Sequence, residues 1–235
     1  MDSMRFLSGC VFFLMLYSAS SVSGVLDIEV NQQKLALPYR AAVGDAKGAV
    51  LIIHGSQPIY GQSFVNRLSD KLAMLGWSTL LIQTYQINDK AKLTDIIPSS
   101  LTALRLKDNN RLVVIHYGDQ LQVSLDYFVQ PQSKQANGMI LLSAYDRTDA
   151  KKQADLLKKL RFPAFDIVGQ FDYGRVLRQA KKRHDANSEN SKYQFLMLPG
   201  ARHQYTYTSA MLAAYVNGWM EKLSRNIRAS PPIPS

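Results

Sequence analysis

Six short apolar runs punctuate this chain, and segments of helical spacing separate them. The runs are "AVLIIHG" (Ala49 to Gly55), "WSTLLIQTY" (Trp77 to Tyr85), "RLVVIHY" (Arg111 to Tyr117), "GMILLSA" (Gly138 to Ala144), "RFPAFDIVGQFD" (Arg161 to Asp172) and "YQFLMLPG" (Tyr193 to Gly200). Strands apolar on both faces must be covered on both sides, and strands alternating with helices can all run the same way. The pattern therefore predicts an α/β domain with a mostly parallel sheet and helices on both faces. An earlier strand is expected at "KLALPYRA" (Lys34 to Ala41), followed by a turn at "GDAKG".

The helices follow from spacing. Phe64, Leu68, Leu72 and Leu75 recur on one face before Gly76, which stops the helix. A helix in "DIIPSSLTALR" is expected to begin near Ser99 or Ser100, just past Pro98. Further helices are expected through "QLQVSLDYFV", "DAKKQADLLKKL", "VLRQAKKRHD" and "SAMLAAYVNGWMEKL".

Residues 1–24 read as a secretory signal. Arg5 precedes an apolar stretch from Phe6 to Tyr17, and small residues suited to cleavage follow. The stretch is short for a spanning helix, which needs about 20 residues. An uncleaved anchor is the alternative. "LSGC" at Leu7 to Cys10 resembles a lipidation box, but the main apolar run comes after Cys10 and not before it. Export to the periplasm or beyond is the expectation, with one domain over 25–228 and a disordered Pro/Ser-rich tail over 229–235. Cys10 is the single cysteine, so no disulfide indicates the compartment.

The chain is 46% hydrophobic and 20% charged, an ordinary globular balance, with a net charge of +10. Bases concentrate between Lys151 and Arg183. Such a field suits anionic surfaces, and an anionic membrane reached through the basic helices is the partner expected if the charge is functional. Solvated helix faces are the ordinary explanation. No nucleic-acid motif accompanies the charge, so no nucleic-acid partner is expected. No histidine pair has metal-ligand spacing and no glycine loop suits a phosphate, so no cofactor or metal is expected.

Ligands of such sheets lie beyond the carboxyl ends of the strands. Those ends deliver His54-Gly55-Ser56, then His116-Tyr117-Gly118-Asp119, then Asp172, then His203 in "PGARH". Each alone is weak. Their order, with "GAVLIIHG", "LGWSTLLI" and "LPGARHQY", resembles the α/β-hydrolase superfamily from Lys34 to Leu223, in particular an exported bacterial branch, and no segment is long enough for a lid domain.

The resemblance implies that His203 matches the catalytic histidine and Asp172 the acid that orients it. His54, Gly55 and Ser56 match the turn that supplies an oxyanion-hole amide, with His116, Gly118 and Asp119 completing the expected pocket. The elbow departs from the pattern, which wants a nucleophile between small flanks. One register puts Tyr117 in the serine's place and the other puts Gly118 there. A tyrosine oxygen sits several atoms further out, and glycine supplies no nucleophile.

Two functions remain open. One is a degenerate hydrolase that binds a small-molecule or acyl ligand in the old cleft. The other is an esterase-like enzyme acting on carboxylic esters, through a His-activated water or a nucleophile displaced to Asp119, Ser56 or Ser143. Tyr205 and Tyr207 either line the pocket or cap the last helix. His184 is expected to be solvated, and Trp77 and Trp219 to be core.

Overall fold

A computed structural model of the chain describes residues 23–55, 58–87, 92–107, 109–131, 136–147 and 150–224. Residues 1–22 of the expected signal, the whole expected tail over 229–235 and Ser56 lie outside the described residues.

The eight strands of the described residues form one sheet in the order β1-β2-β4-β3-β5-β6-β7-β8. β1 (Ser23–Val30) and β2 (Gln33–Arg40) form a hairpin, which turns at Asn31 and Gln32 with φ of 51° and 64°. Positive φ at both turn residues gives the twist that a two-residue hairpin loop needs. The first of these strands was not anticipated, although Leu26, Ile28 and Val30 alternate with Asp27 and Glu29 at the strand period of two.

β2 joins β4 (Trp77–Gln83) antiparallel through Tyr39 and Arg40 alone. From there the sheet is parallel: β4, β3 (Gly48–His54), β5 (Leu112–Tyr117), β6 (Gly138–Leu142), β7 (Ala164–Phe171) and β8 (Tyr193–Arg202). The chain passes from β3 to β4 on one side and then crosses to β5 on the other. That reversal opens a crevice at the ends of β3 and β5.

The strand periodicity of two sorts the core onto two faces. Ala49, Leu51 and Ile53 pack toward α2 (Leu93–Leu106), α3 (Leu121–Phe128) and α4 (Ala150–Lys159). Val50 and Ile52 pack toward α1 (Pro58–Met74) and α6 (Ser209–Glu221). Val168 meets α5 (Gly174–Asn187) through Val176 and Ala180. Trp77 and Trp219 are both buried, as expected. No lid domain interrupts the described residues.

α2 begins at Leu93, well before the expected Ser99, and Pro98 lies inside it. The proline forfeits only the bond to Thr94, a carbonyl of the first turn. Burial of Leu93, Ile96 and Ile97 outweighs that loss. His184 also differs from expectation. Its ring stacks on Phe195 at 4.6 Å instead of standing in solvent, because α5 lies directly over β8 there.

Candidate active site

The turn after β5 is shaped like a nucleophile elbow. Gly118 has φ of +84° and Gln120 has φ of +65°, and α3 starts at the next residue. A strained left-handed residue between strand and helix marks where an elbow carries its nucleophile. The backbone therefore selects the register with Gly118 in the serine's place. A Cβ built on Gly118 would meet nothing within 4 Å, so the position is open, and only its φ would strain a side chain there.

Neighbouring strand ends hold this turn. Gly55 N–H donates to the Tyr117 carbonyl at 2.9 Å, and Tyr145 N–H donates to the Gly118 carbonyl at 2.9 Å. The flanks are His116 and Gln120, not small residues, and the structure shows how they fit. His116 turns inward beneath the elbow and is fully buried. Its Nε2 donates to the Asp119 carbonyl and its Nδ1 accepts from the Ser124 hydroxyl, both at 2.8 Å. Burial lowers its pKa to about 4, so the ring stays neutral and keeps one donor and one acceptor. His116, expected in the pocket, is instead a buried brace for the turn.

Beyond the elbow stands a histidine–carboxylate pair. Asp172 follows β7 and His203 follows β8, and the bulge between Gly169 and Phe171 sets how those two ends meet. His203 Nδ1 donates to Asp172 Oδ1 at 2.7 Å, which leaves Nε2 as the basic nitrogen. Oδ1 also accepts the Tyr173 N–H at 2.7 Å, and Oδ2 accepts the Ser143 hydroxyl. The Tyr205 hydroxyl lies 2.7 Å from Ser143 Oγ. Ser143 and Tyr205 both adopt positive φ, 45° and 49°, and both are fully buried. This pair clamps the acid, and nothing in the sequence pattern pointed to it.

Of the displaced nucleophiles that the sequence offers, Ser143 and Asp119 lie among the described residues. Ser143 Oγ is bonded to the acid, with no contact to the histidine. The Asp119 carboxylate accepts the Gln120 N–H at 2.8 Å and the Arg147 Nε–H at 3.2 Å. Tyr117 has its ring 5.2 Å from that of His203 and its hydroxyl 3.4 Å from the His203 carbonyl. Burial, and then the nearby Asp172, push its pKa well above the usual tyrosine range, so it carries no phenolate at neutral pH. Tyr205 is buried and Tyr207 is exposed, so neither lines the cleft.

The cleft has a volume of about 230 Å³. His54, Gly55, Tyr117, Gly118, Asp119 and His203 line it, together with Gly61, Tyr145 and Tyr173, which the sequence did not single out. Tyr145 and Tyr173 each follow a strand end, a position that could have drawn notice. Gly61 on α1 lies under the aromatic cluster, since a Cβ there would fall 2.5 Å from His54 Nε2 and 2.7 Å from Tyr117. His54 is buried with Nδ1 unpartnered, and burial followed by repulsion from His203 lowers its pKa to about 4. The described residues hold no cluster of three or more metal-ligating side chains.

Solved structures share this arrangement of strands. A dienelactone hydrolase from Anabaena variabilis superposes with a TM-score of 0.68 at 16% identity, over 88% of this chain and 100% of its own. An esterase domain from Rhodothermus marinus gives 0.66 at 14% identity, over 86% and 99%. An esterase from Pyrococcus furiosus gives 0.65 at 12%, over 95% and 99%. The fold is that of the α/β-hydrolases. At these identities the likeness concerns the fold alone. No family model matches the sequence, and no curated protein matches it. Within this hydrolase fold, the acid and histidine stand beside an elbow that carries glycine.

Proposed function

We propose that this chain is a catalytically degenerate hydrolase-fold protein that binds a small ligand in the cleft beside His203. The observation that carries the reading is Gly118, which holds the left-handed backbone of a nucleophile position without a side chain. An acyl-enzyme needs an oxygen or sulfur there, and the histidine, acid and nucleophile act as a unit. The cleft, at about 230 Å³, is smaller than the roughly 300–1,000 Å³ usual for ligand pockets, so it suits only a small ligand. The apolar segment from Phe6 to Tyr17 supports export as the setting.

A second reading rests on the Asp172–His203 bond. In that reading His203 Nε2 takes a proton from water as the water oxygen attacks the ester carbonyl, and returns it to the departing alkoxide as the C–O bond breaks, with no acyl-enzyme. General-base catalysis of that kind contributes about 10²–10⁴ in rate.

Hydrolysis of p-nitrophenyl acetate and butyrate separates the two. Wild type, His203→Ala and Gly118→Ser would be purified identically and compared. The binding reading expects wild type to match His203→Ala, and Gly118→Ser to gain turnover that a second change, His203→Ala, removes. Turnover in wild type that His203→Ala abolishes would transfer the assignment to water activation. A folded but inactive Gly118→Ser would show that more than an oxygen is missing.

A further inference from the structure

Three large aromatic side chains stand in solvent close to the cleft. Phe171 is 63% exposed at the end of β7, Tyr173 is 53% exposed two residues on, and Tyr207 is 96% exposed four residues past His203. Scattered exposed apolar residues are ordinary, but these three lie at or beyond the carboxyl ends of β7 and β8, the strand ends that deliver Asp172 and His203, and Tyr173 lines the cleft itself. Exposed arginines accompany them. Arg202 is the cross-strand partner of Phe171, and Arg175 lies in the first turn of α5 directly after Tyr173. The Arg178 guanidinium reaches back to Gly174, 3.2 Å from where a Cβ would stand.

The stretch of chain that carries these arginines brings few carboxylates with it. Between Phe171 and Ser209 the acids are the buried Asp172, and Asp185 and Glu189 near or beyond the far end of α5. Asp119, on the cleft wall, is 4% exposed and already paired with Arg147. The positive side extends away from the mouth along α5 through Lys181 and Lys182. It continues on the adjacent α4 through Lys158 and Lys159, all exposed.

We propose that the cleft mouth docks on an anionic lipid bilayer. Phe171, Tyr173 and Tyr207 enter the headgroup region, and Arg175, Arg178 and Arg202 meet the lipid phosphates. Aromatic rings with a polar tip favour the membrane–water boundary, and exposed bases are attracted to an anionic leaflet within a Debye length. Docked this way, the cleft faces the bilayer and draws its ligand from it. The proposal does not depend on whether the site turns over.

The test is flotation of the full chain with phosphatidylcholine vesicles, alone and with about 30% phosphatidylglycerol. Three double variants would be compared with wild type: Arg175→Glu with Arg178→Glu, Phe171→Ser with Tyr207→Ser, and Lys158→Glu with Lys159→Glu as a distant charge control. All six side chains are exposed, and an unchanged circular dichroism melt would verify folding. The expected result is uptake on anionic vesicles that high salt reverses. The two mouth variants should weaken it roughly tenfold, and the α4 control much less. Equal uptake on neutral vesicles, undiminished by the mouth variants, would assign binding to the apolar N-terminal segment and overturn the proposal. Loss in the α4 control alone would move the contact to another face. Tight binding of single-stranded DNA without vesicle binding would replace the bilayer with a nucleic acid.

Discussion

At the residue scale, two glycines of the cleft do opposite things. Gly55 is there for space: a Cβ would fall 1.8 Å from the Asp119 carbonyl oxygen and 2.7 Å from its nitrogen, both rigid backbone atoms. Gly118 is there for conformation, with empty space around it and a φ of +84°. Gly118→Ala should therefore cost only the left-handed strain, about 1–2 kcal/mol. Gly55→Ala must push the β3 loop off the elbow, and a loss of about 3 kcal/mol or more is expected. Urea unfolding of the two variants measures the difference, and equal losses would count against the close approach. Sequence alone showed both glycines as strand-end residues and could not separate these roles, because the clash at Gly55 comes from a segment more than sixty residues away.

At the element scale, the candidate acid depends on how β7 and α5 are fixed. Arg183 on α5 is fully buried and donates through Nε and Nη2 to the two oxygens of Asp166 on β7, at 2.7 and 3.1 Å. The Tyr193 hydroxyl on β8 donates to the same carboxylate at 2.8 Å. One network thus ties together the two strands that deliver Asp172 and His203. Removing one charge leaves the other buried, so Asp166→Asn should destabilise by about 3–5 kcal/mol. Replacing both partners, Asp166→Leu with Arg183→Met, should recover part of that loss in the same unfolding measurement. Arg183 was legible in the sequence only as one base of a positive helix. Helical spacing puts it on one face with Val176 and Ala180, but its partner Asp166 on β7 is supplied only by the packing of α5 on the sheet.

At the scale of the whole molecule, the two buried histidines couple stability to pH. The folded values of His54 and His116 lie near 4, below the free value of 6.5. The unfolded chain therefore takes up protons that the folded chain refuses. Their contribution is complete above about pH 6.5 and is lost as pH falls toward 4. At pH 5 the loss is about 2 kcal/mol for each histidine. The urea midpoint should fall between pH 7.5 and 5, and His116→Gln should show a smaller fall; an equal fall would remove His116 from the account. The fold itself was readable from the sequence. Strands buried on both faces must be continuously apolar, and helices over a sheet must carry an apolar stripe, so the six parallel strands announced themselves. The order His54, elbow, Asp172, His203 was readable as well, because strand ends follow one another along the chain. The elbow's register was not. Only the backbone torsion at Gly118 decides between it and Tyr117, and that torsion is imposed by hydrogen bonds from two neighbouring strand ends. The clamp of Ser143 and Tyr205 on the acid, and the pairing of Phe171 with Arg202, depend equally on the tertiary structure, because each brings together residues that are separate in the chain.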